Sequence, residues 1–276
     1  MKLFSFFKKD DDKKYNINEI NSNKKLFIQV INDAKYILKE STNNTEEIHP
    51  IFTFIKQFTD LITHEAAINS YINGDYHPDH TIPIIFEGRI CPRINPEIKY
   101  IKIAEEKNWL LENMDNYFIY NKDIPMDLSV FPLILNPWNS GRISNNILHL
   151  ATDSNPFDKD KYSYNINNYY YYPIGVGQCF GGNHSQYSSK LKGKGTTSIN
   201  IITDVSEVYK LVSFDGCKFY CGNSAKSNNE IKLEVFDCND RLEFYSGLLF
   251  EIGRLLLDYP EIFPEKIQET ISSSFT

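Results

Sequence analysis

The residues best suited to chemistry are Gly181-Gly182-Asn183-His184-Ser185. An apolar, β-type run leads into two glycines, and a helix-compatible stretch follows. Such a strand–turn–helix holds an anion well: glycines let the backbone come close, and the free N–H groups of the new helix point at the ligand. In this frame Gly181, Gly182 and Asn183 form the backbone cradle and Ser185 donates at the helix start. His184 serves as a donor or as a general base, because an unperturbed imidazole titrates near neutrality. Lys190, Lys192 and Lys194 follow within ten residues and make the one concentrated basic patch, with Lys190 nearest the turn. Arg142 is the expected charge partner. A phosphate group or a nucleotide suits this set. The competing reading is a tight turn in which Asn183 or Ser185 merely caps a helix.

Other clusters are weaker. Cys217 and Cys221 sit in a Cys-x3-Cys spacing, and Cys179, Cys238 and His184 could be added to form a zinc site. No second paired half accompanies them, and cysteines four apart on a strand share one face, usually the core. His77-Pro78-Asp79-His80 with Asp75 has metal-ligand types but reads as a solvated loop without a distant third ligand. His64-Glu65 lies on a helix, yet Ile68 stands where a second zinc-binding histidine would be needed. Tyr169-Tyr170-Tyr171-Tyr172 could stack bases, and equally reads as a strand alternating between core and surface. Walker, Rossmann and Gly-x-Ser-x-Gly signatures are absent from the sequence. No metal is implied.

The elements that must position the turn follow from periodicity. Phe27, Val30, Ile31, Ala34, Ile37 and Leu38 recur at helical spacing, and Ser41-Thr42-Asn43-Asn44-Thr45 breaks that helix. Ile51, Ile55, Phe58, Leu61 and Ile62 mark a second helix running to about Ile72, stopped by Asn73-Gly74-Asp75, with His49-Pro50 at its start. Residues 75–100 read as loop and short strand, and Glu105 to Met114 as a short helix. Pro125, Pro132 and Pro137 mark an irregular lead into the central region. A short helical stretch covers Asn145 to Leu150, and a polar loop follows. Tyr172 to Phe180 reads as one strand, Ser185 to Leu191 as a helix ended by Gly193 and Gly195, and Ser198 to Thr203 as a β-branched strand. Asp204 to Glu207 opens a helical turn. Lys218 to Cys221 and Ile231 to Phe236 are further strands. Leu242, Tyr245, Leu248, Leu249, Ile252, Leu255 and Leu256 define a closing amphipathic helix, ended by Tyr259-Pro260.

Composition sets the outer bounds. The chain has 276 residues, 41% hydrophobic and 24% charged, which is globular composition rather than disorder. A net charge of −7 repels phosphate backbones at long range and argues against nucleic acid as a bulk partner. No stretch reaches the ~20 apolar residues of a membrane span, and the short Met1–Lys9 start runs into Asp10-Asp11-Asp12, unlike a signal peptide. Five cysteines without regular spacing fit a reducing compartment, so a cytoplasmic protein is expected. The expected fold is α+β, in three parts. Residues 1–23 are a flexible polar N-terminus, 24–125 a helical and irregular cap, and 126–276 an α/β core carrying the turn. The C-terminal amphipathic helix closes that core.

The order of motifs carries a resemblance. Leu135-Asn136-Pro137-Trp138-Asn139-Ser140-Gly141-Arg142 precedes a short helix, Pro173-Ile174-Gly175-Val176 opens a strand, and Gly182 begins the turn. Gly195 ends the next helix, and Ile199-Asn200-Ile201-Ile202 forms the following strand. Over roughly residues 133–210 this order resembles the ParB/sulfiredoxin-like domain. The resemblance implies a mixed core of short strands and helices, with the turn contacting the phosphates of a nucleotide. Where sulfiredoxin has a nucleophilic cysteine this chain has Asn183, which argues against cysteine redox chemistry. Pro137-Trp138-Asn139 and Arg142, taken with Gly182-Asn183-His184-Ser185 and Asp215-Gly216, resemble an uncharacterised family of low-GC bacteria and their phages. That resemblance brings no activity with it but implies a setting in phage–host conflict, so that, with the ligand implied by the ParB/sulfiredoxin-like order, an accessory protein binding a nucleotide or phosphate is expected. The alternative it implies is a non-catalytic factor that inhibits or bridges an anti-phage defence complex such as Gabija. A homo-oligomer is compatible with either.

Overall fold

A computed structural model of the chain describes residues 17–41, 48–73, 120–210, 212–221, 234–238 and 240–273. The expected loop and strand at 75–100, the helix at 105–114, the His77–His80 cluster and the polar segment before residue 17 lie outside them. Helix α1 is Ile17–Glu40 and helix α2 is Pro50–Asn73. Val30, Ala34 and Leu38 bury one stripe of α1, and Ile51, Ile55, Phe58 and Ile62 bury one stripe of α2, as the spacing predicts. Pro50 takes the first helical position of α2, and the His49 imidazole accepts the Ile51 N–H at 3.2 Å.

The central sheet has five strands: β1 (Tyr120–Asp127), β2 (Leu133–Ile134), β3 (Asn167–Tyr172), β4 (Val176–Gly181) and β5 (Thr196–Asp204). They lie in the order β1-β5-β3-β4-β2. β1 pairs antiparallel with β5, β5 parallel with β3, β3 antiparallel with β4, and β4 parallel with β2. Pro125 does not interrupt β1, because β1 is an edge strand and a proline there withholds no ladder donor that the sheet needs. The run Tyr172 to Phe180 is two strands, not one: Pro173-Ile174-Gly175 turn the chain, with Gly175 at φ 77°. The tyrosine run does not alternate as a half-exposed strand would. Tyr170, Tyr171 and Tyr172 are all buried, because β3 sits inside the sheet with both faces covered.

Helix α3 (Ser140–His149) follows β2, and α4 (Asn183–Leu191) joins β4 to β5. A second, antiparallel sheet of β6 (Val212–Phe214), β7 (Lys218–Cys221) and β8 (Glu234–Asp237) packs on α5 (Arg241–Leu256). Asp240 caps α5 by accepting the Glu243 N–H at 2.7 Å. A 3₁₀ turn at Pro260–Ile262 and helix α6 (Glu265–Ser272) end the described chain. One contiguous core joins α1, α2, both sheets, α5 and α6. The fold is α+β.

Candidate functional site

The glycine turn is built from behind. Gly182 is the N-cap of α4 at φ 79°, and a Cβ there would stand 2.8 Å from the Asn165 carbonyl oxygen. A Cβ on Gly181 would meet the same oxygen at 2.9 Å. Both glycines are therefore required by a close backbone crossing, and Gly182 also by its left-handed conformation. Beneath the turn, Gln186 donates to the Gly181 carbonyl at 2.9 Å and to Asn168 Oδ1 at 3.1 Å, and its Oε1 accepts the Thr197 hydroxyl at 2.6 Å. Asn168 completes the network by donating to Thr197 Oγ1 and to the Ser198 carbonyl, each at 2.8 Å. Gln186, Asn168 and Thr197 are buried and their side-chain amides and hydroxyl are hydrogen-bonded to one another, which fixes one conformation.

Two side chains of the turn reach back to the Asn-Pro-Trp-Asn segment. Asn183 Oδ1 accepts the Asn136 N–H at 2.7 Å, and His184 Nε2 accepts the Asn139 N–H at 3.0 Å. Asn139 in turn caps α3, its Oδ1 accepting the Arg142 N–H at 2.7 Å. Neither Asn183 nor Ser185 caps α4: Gly182 holds that place and offers no side chain. The N–H groups of Asn183, His184 and Ser185 consequently have no acceptor among the described residues.

His184 is 8% exposed. Burial, with the nearby positive charge of Arg142 second, lowers its pKa to about 4, so the ring is neutral at physiological pH. The lone pair of Nε2 is engaged by Asn139, which puts the proton on Nδ1 and makes His184 a donor rather than a free general base. The Trp138 ring meets the imidazole edge-on at 5.0 Å, and the Arg142 guanidinium lies 5.2 Å from the centre of Trp138. That guanidinium has no carboxylate partner among the described residues.

These groups surround an open cleft of about 700 Å³, within the roughly 300–1,000 Å³ range of small-ligand sites. The first turn of α3 contributes Asn139, Gly141 and Arg142, and its next turn Asn145 and Asn146. The α4 side contributes Gly181, Gly182, Asn183, His184 and Ser185. Trp138, Asn165 and Phe180 complete the wall. Sequence reasoning missed Asn145, Asn146, Asn165 and Phe180. Phe180 adjoins the glycines and could have been flagged, whereas the asparagines resemble any other in an Asn-rich chain.

The structure does not bring Lys190 to the cleft. It stands seven positions into α4, a rise of ~10 Å from the turn, and faces α2, where it pairs with Asp60 at 2.6 Å and donates to the Leu133 carbonyl at 2.8 Å. Burial lowers its pKa to about 8. Lys192 donates to the Leu150 carbonyl at 2.6 Å, and Lys194 pairs with Asp153 at 3.3 Å. The basic patch of the sequence is thus spent on structure. Cys179 is buried, which pushes its thiol far up and leaves no thiolate for chemistry.

Fold and site together define an α+β protein with a polar cleft between the starts of two helices. The sequence matches the Family of unknown function (DUF6710) across residues 8–263, and the chain belongs to that family. No curated protein and no solved structure matches it. Among the described residues no helix is long and apolar enough to cross a membrane.

Proposed function

We propose that this protein binds a phosphate-containing ligand, a nucleotide in the ParB/sulfiredoxin-like manner, in the cleft between α3 and α4. One observation carries the reading: the start of α4 has no side-chain cap, and its first three N–H groups and the Arg142 guanidinium line one cleft with no acceptor or carboxylate partner among the described residues. An uncapped helix start favours an anion through both its donors and its dipole. Gly181 and Gly182 shape the cradle, Asn183, His184 and Ser185 supply it, and Arg142 adds charge. Lys190 has no part. The motif order from Asn136 to Ile202, which suggested the resemblance, supports the same assignment. The biological setting we propose, phage–host conflict, rests on the family resemblance alone. Thermal-shift assays with ATP, CTP, GTP, their monophosphates and phosphate test the binding. Stabilisation lost in Arg142→Gln is the expected result, and no shift with any of these ligands sinks the reading.

A second reading, a protein-binding factor of a defence complex, is favoured by one surface. Ile68, Tyr71 and Ile72 on α2 and Ile147 and Leu148 on α3 are all exposed, and the Tyr71 hydroxyl lies 3.2 Å from that of Ser144 on α3. Exposed apolar clusters of this kind mark interaction faces. Affinity capture from phage-infected cells should yield one stoichiometric partner that Leu148→Asp loses. Equal recovery with both proteins removes this face from the account.

A further inference from the structure

The cleft's chemistry narrows the ligand further. We infer that it takes a nucleoside monophosphate, without a divalent metal ion, with the phosphate between the first turns of α3 and α4 and the base against Phe180. The inference rests on the anion-site reading of the same cleft.

Charge matching is the first argument. Arg142 brings one positive charge, and each of the two helix starts adds about half a charge. The sum of about +2 balances a phosphomonoester, which carries about −1.5 to −2 near neutral pH. A triphosphate is more negative and is usually accompanied by Mg²⁺ held by carboxylates. No Asp or Glu is among the described residues lining the cleft. The surplus charge of a triphosphate would face an already acidic chain of net −7.

A donor at the cleft is the second. His184 lines the cleft, and its Nδ1–H has no acceptor among the described residues and is not sealed from solvent. A phosphate oxygen would replace water on this donor in a charge-assisted hydrogen bond. The imidazole stays neutral, so this donor adds no charge to the balance above.

The third argument locates the base. Phe180 is 39% exposed at the cleft wall, with its ring braced on Tyr169 at 4.4 Å. A ring held on one side and open on the other is a stacking platform. Asn145, Asn146 and Asn165 line the same cleft, and their carboxamides offer both donors and acceptors to ribose hydroxyls and base edges.

Calorimetric titration of the full chain tests this with AMP, CMP, GMP and UMP, the matching triphosphates with and without Mg²⁺, and inorganic phosphate. At least one monophosphate should bind about tenfold or more tighter than its triphosphate and than phosphate, with no effect of Mg²⁺. Arg142→Gln should weaken monophosphate and phosphate alike by about tenfold. Phe180→Ser should lower the monophosphate to the level of phosphate and leave phosphate unchanged. A triphosphate with Mg²⁺ binding tighter than every monophosphate overturns the inference while the anion site stands. Phosphate matching every monophosphate also overturns it, because the base then contributes nothing. No binding by any of these ligands overturns both the inference and the site.

Discussion

At the scale of single residues, His184 links the site to pH. Its folded-state pKa of about 4 lies below the unfolded value of 6.5. Between those values the unfolded chain binds a proton that the folded chain refuses, so stability rises with pH across that window. The contribution is complete above pH 6.5 and is lost as pH falls towards 4. Protonation would also destroy the acceptor for the Asn139 N–H. Wild type should therefore lose about 1–3 kcal/mol relative to His184→Gln between pH 7 and pH 4, a range reduced for the solvent that reaches the ring through the cleft. Denaturant melts of both proteins at several pH values read the difference directly, and parallel pH profiles would remove His184 as the source. His184→Ala should cost about 1–3 kcal/mol at pH 7, as expected for a buried hydrogen-bonded group. The sequence made His184 conspicuous because a histidine after two glycines is an unusual combination. It could not show that Nε2 is engaged, because the Asn139 N–H that engages it comes from a loop 45 residues away.

At the scale of elements, the turn and α4 were legible because glycines, short polar residues and a following helical stretch act locally. Their supports were not, because each lies far away in sequence. Asn165 presses its carbonyl on Gly181 and Gly182, and Gln186 ties the turn to Asn168 and Thr197. Gly182→Ala should cost about 1–3 kcal/mol, since the left-handed backbone and the Asn165 contact both resist a methyl group. Gln186→Leu should cost a similar ~1–3 kcal/mol by leaving Asn168 and Thr197 short of partners, and it should weaken ligand binding by loosening the cradle. Thermal melts with and without ligand separate the two effects. The hairpin at Pro173 reads as one strand in the sequence for a related reason. An apolar run of strand-like residues shows its reversal only through Pro173 and Gly175, and the positive φ of Gly175 is not displayed by a sequence. The lysine cluster misled because charge counts ignore direction. Lys190 is fixed by Asp60 on α2, and although burial alone would raise the Asp60 pKa, Lys190 and Lys56 hold it below the usual carboxylate value. Asp60→Ala leaves Lys190 buried and uncompensated, at a cost of about 3–5 kcal/mol. Lys190→Met should cost less, because Asp60 keeps Lys56 at 2.6 Å. Equal losses in the two variants would refute the view that α2 and α4 are clamped by a buried charge.

At the scale of the whole molecule, the question is whether the first two helices are an appendage or part of the folding unit. The sequence suggested a cap over residues 24–125 and a core over 126–276, a division drawn from composition and proline placement. Physically, α1 and α2 are bound into every part of the remainder. The Phe27 ring on α1 meets Phe214 of the second sheet edge-on at 5.5 Å, and Phe52 on α2 meets Phe263 near the C-terminus at the same distance. Thr63 on α2 accepts the Leu135 N–H at 3.0 Å, just ahead of the segment that grips Asn183 and His184. Asp60 compensates the one buried lysine of α4. Removing the two helices would expose Gly175 and the ring faces of Phe214 and Phe263, strip a hydrogen bond from the binding loop, and leave Lys190 without its anion. Each loss is of the kind that costs at least a kcal/mol or so, against a total stability of about 5–15 kcal/mol. A fragment beginning at residue 120 should accordingly retain secondary structure but lose fixed packing, with weak near-ultraviolet dichroism, dye binding and no ligand-induced stabilisation. The full chain should unfold in one cooperative transition that ligand shifts upward. A fragment that melts cooperatively and binds ligand as the full chain does would show that the cleft needs neither helix, and that the single core seen here is two independent ones.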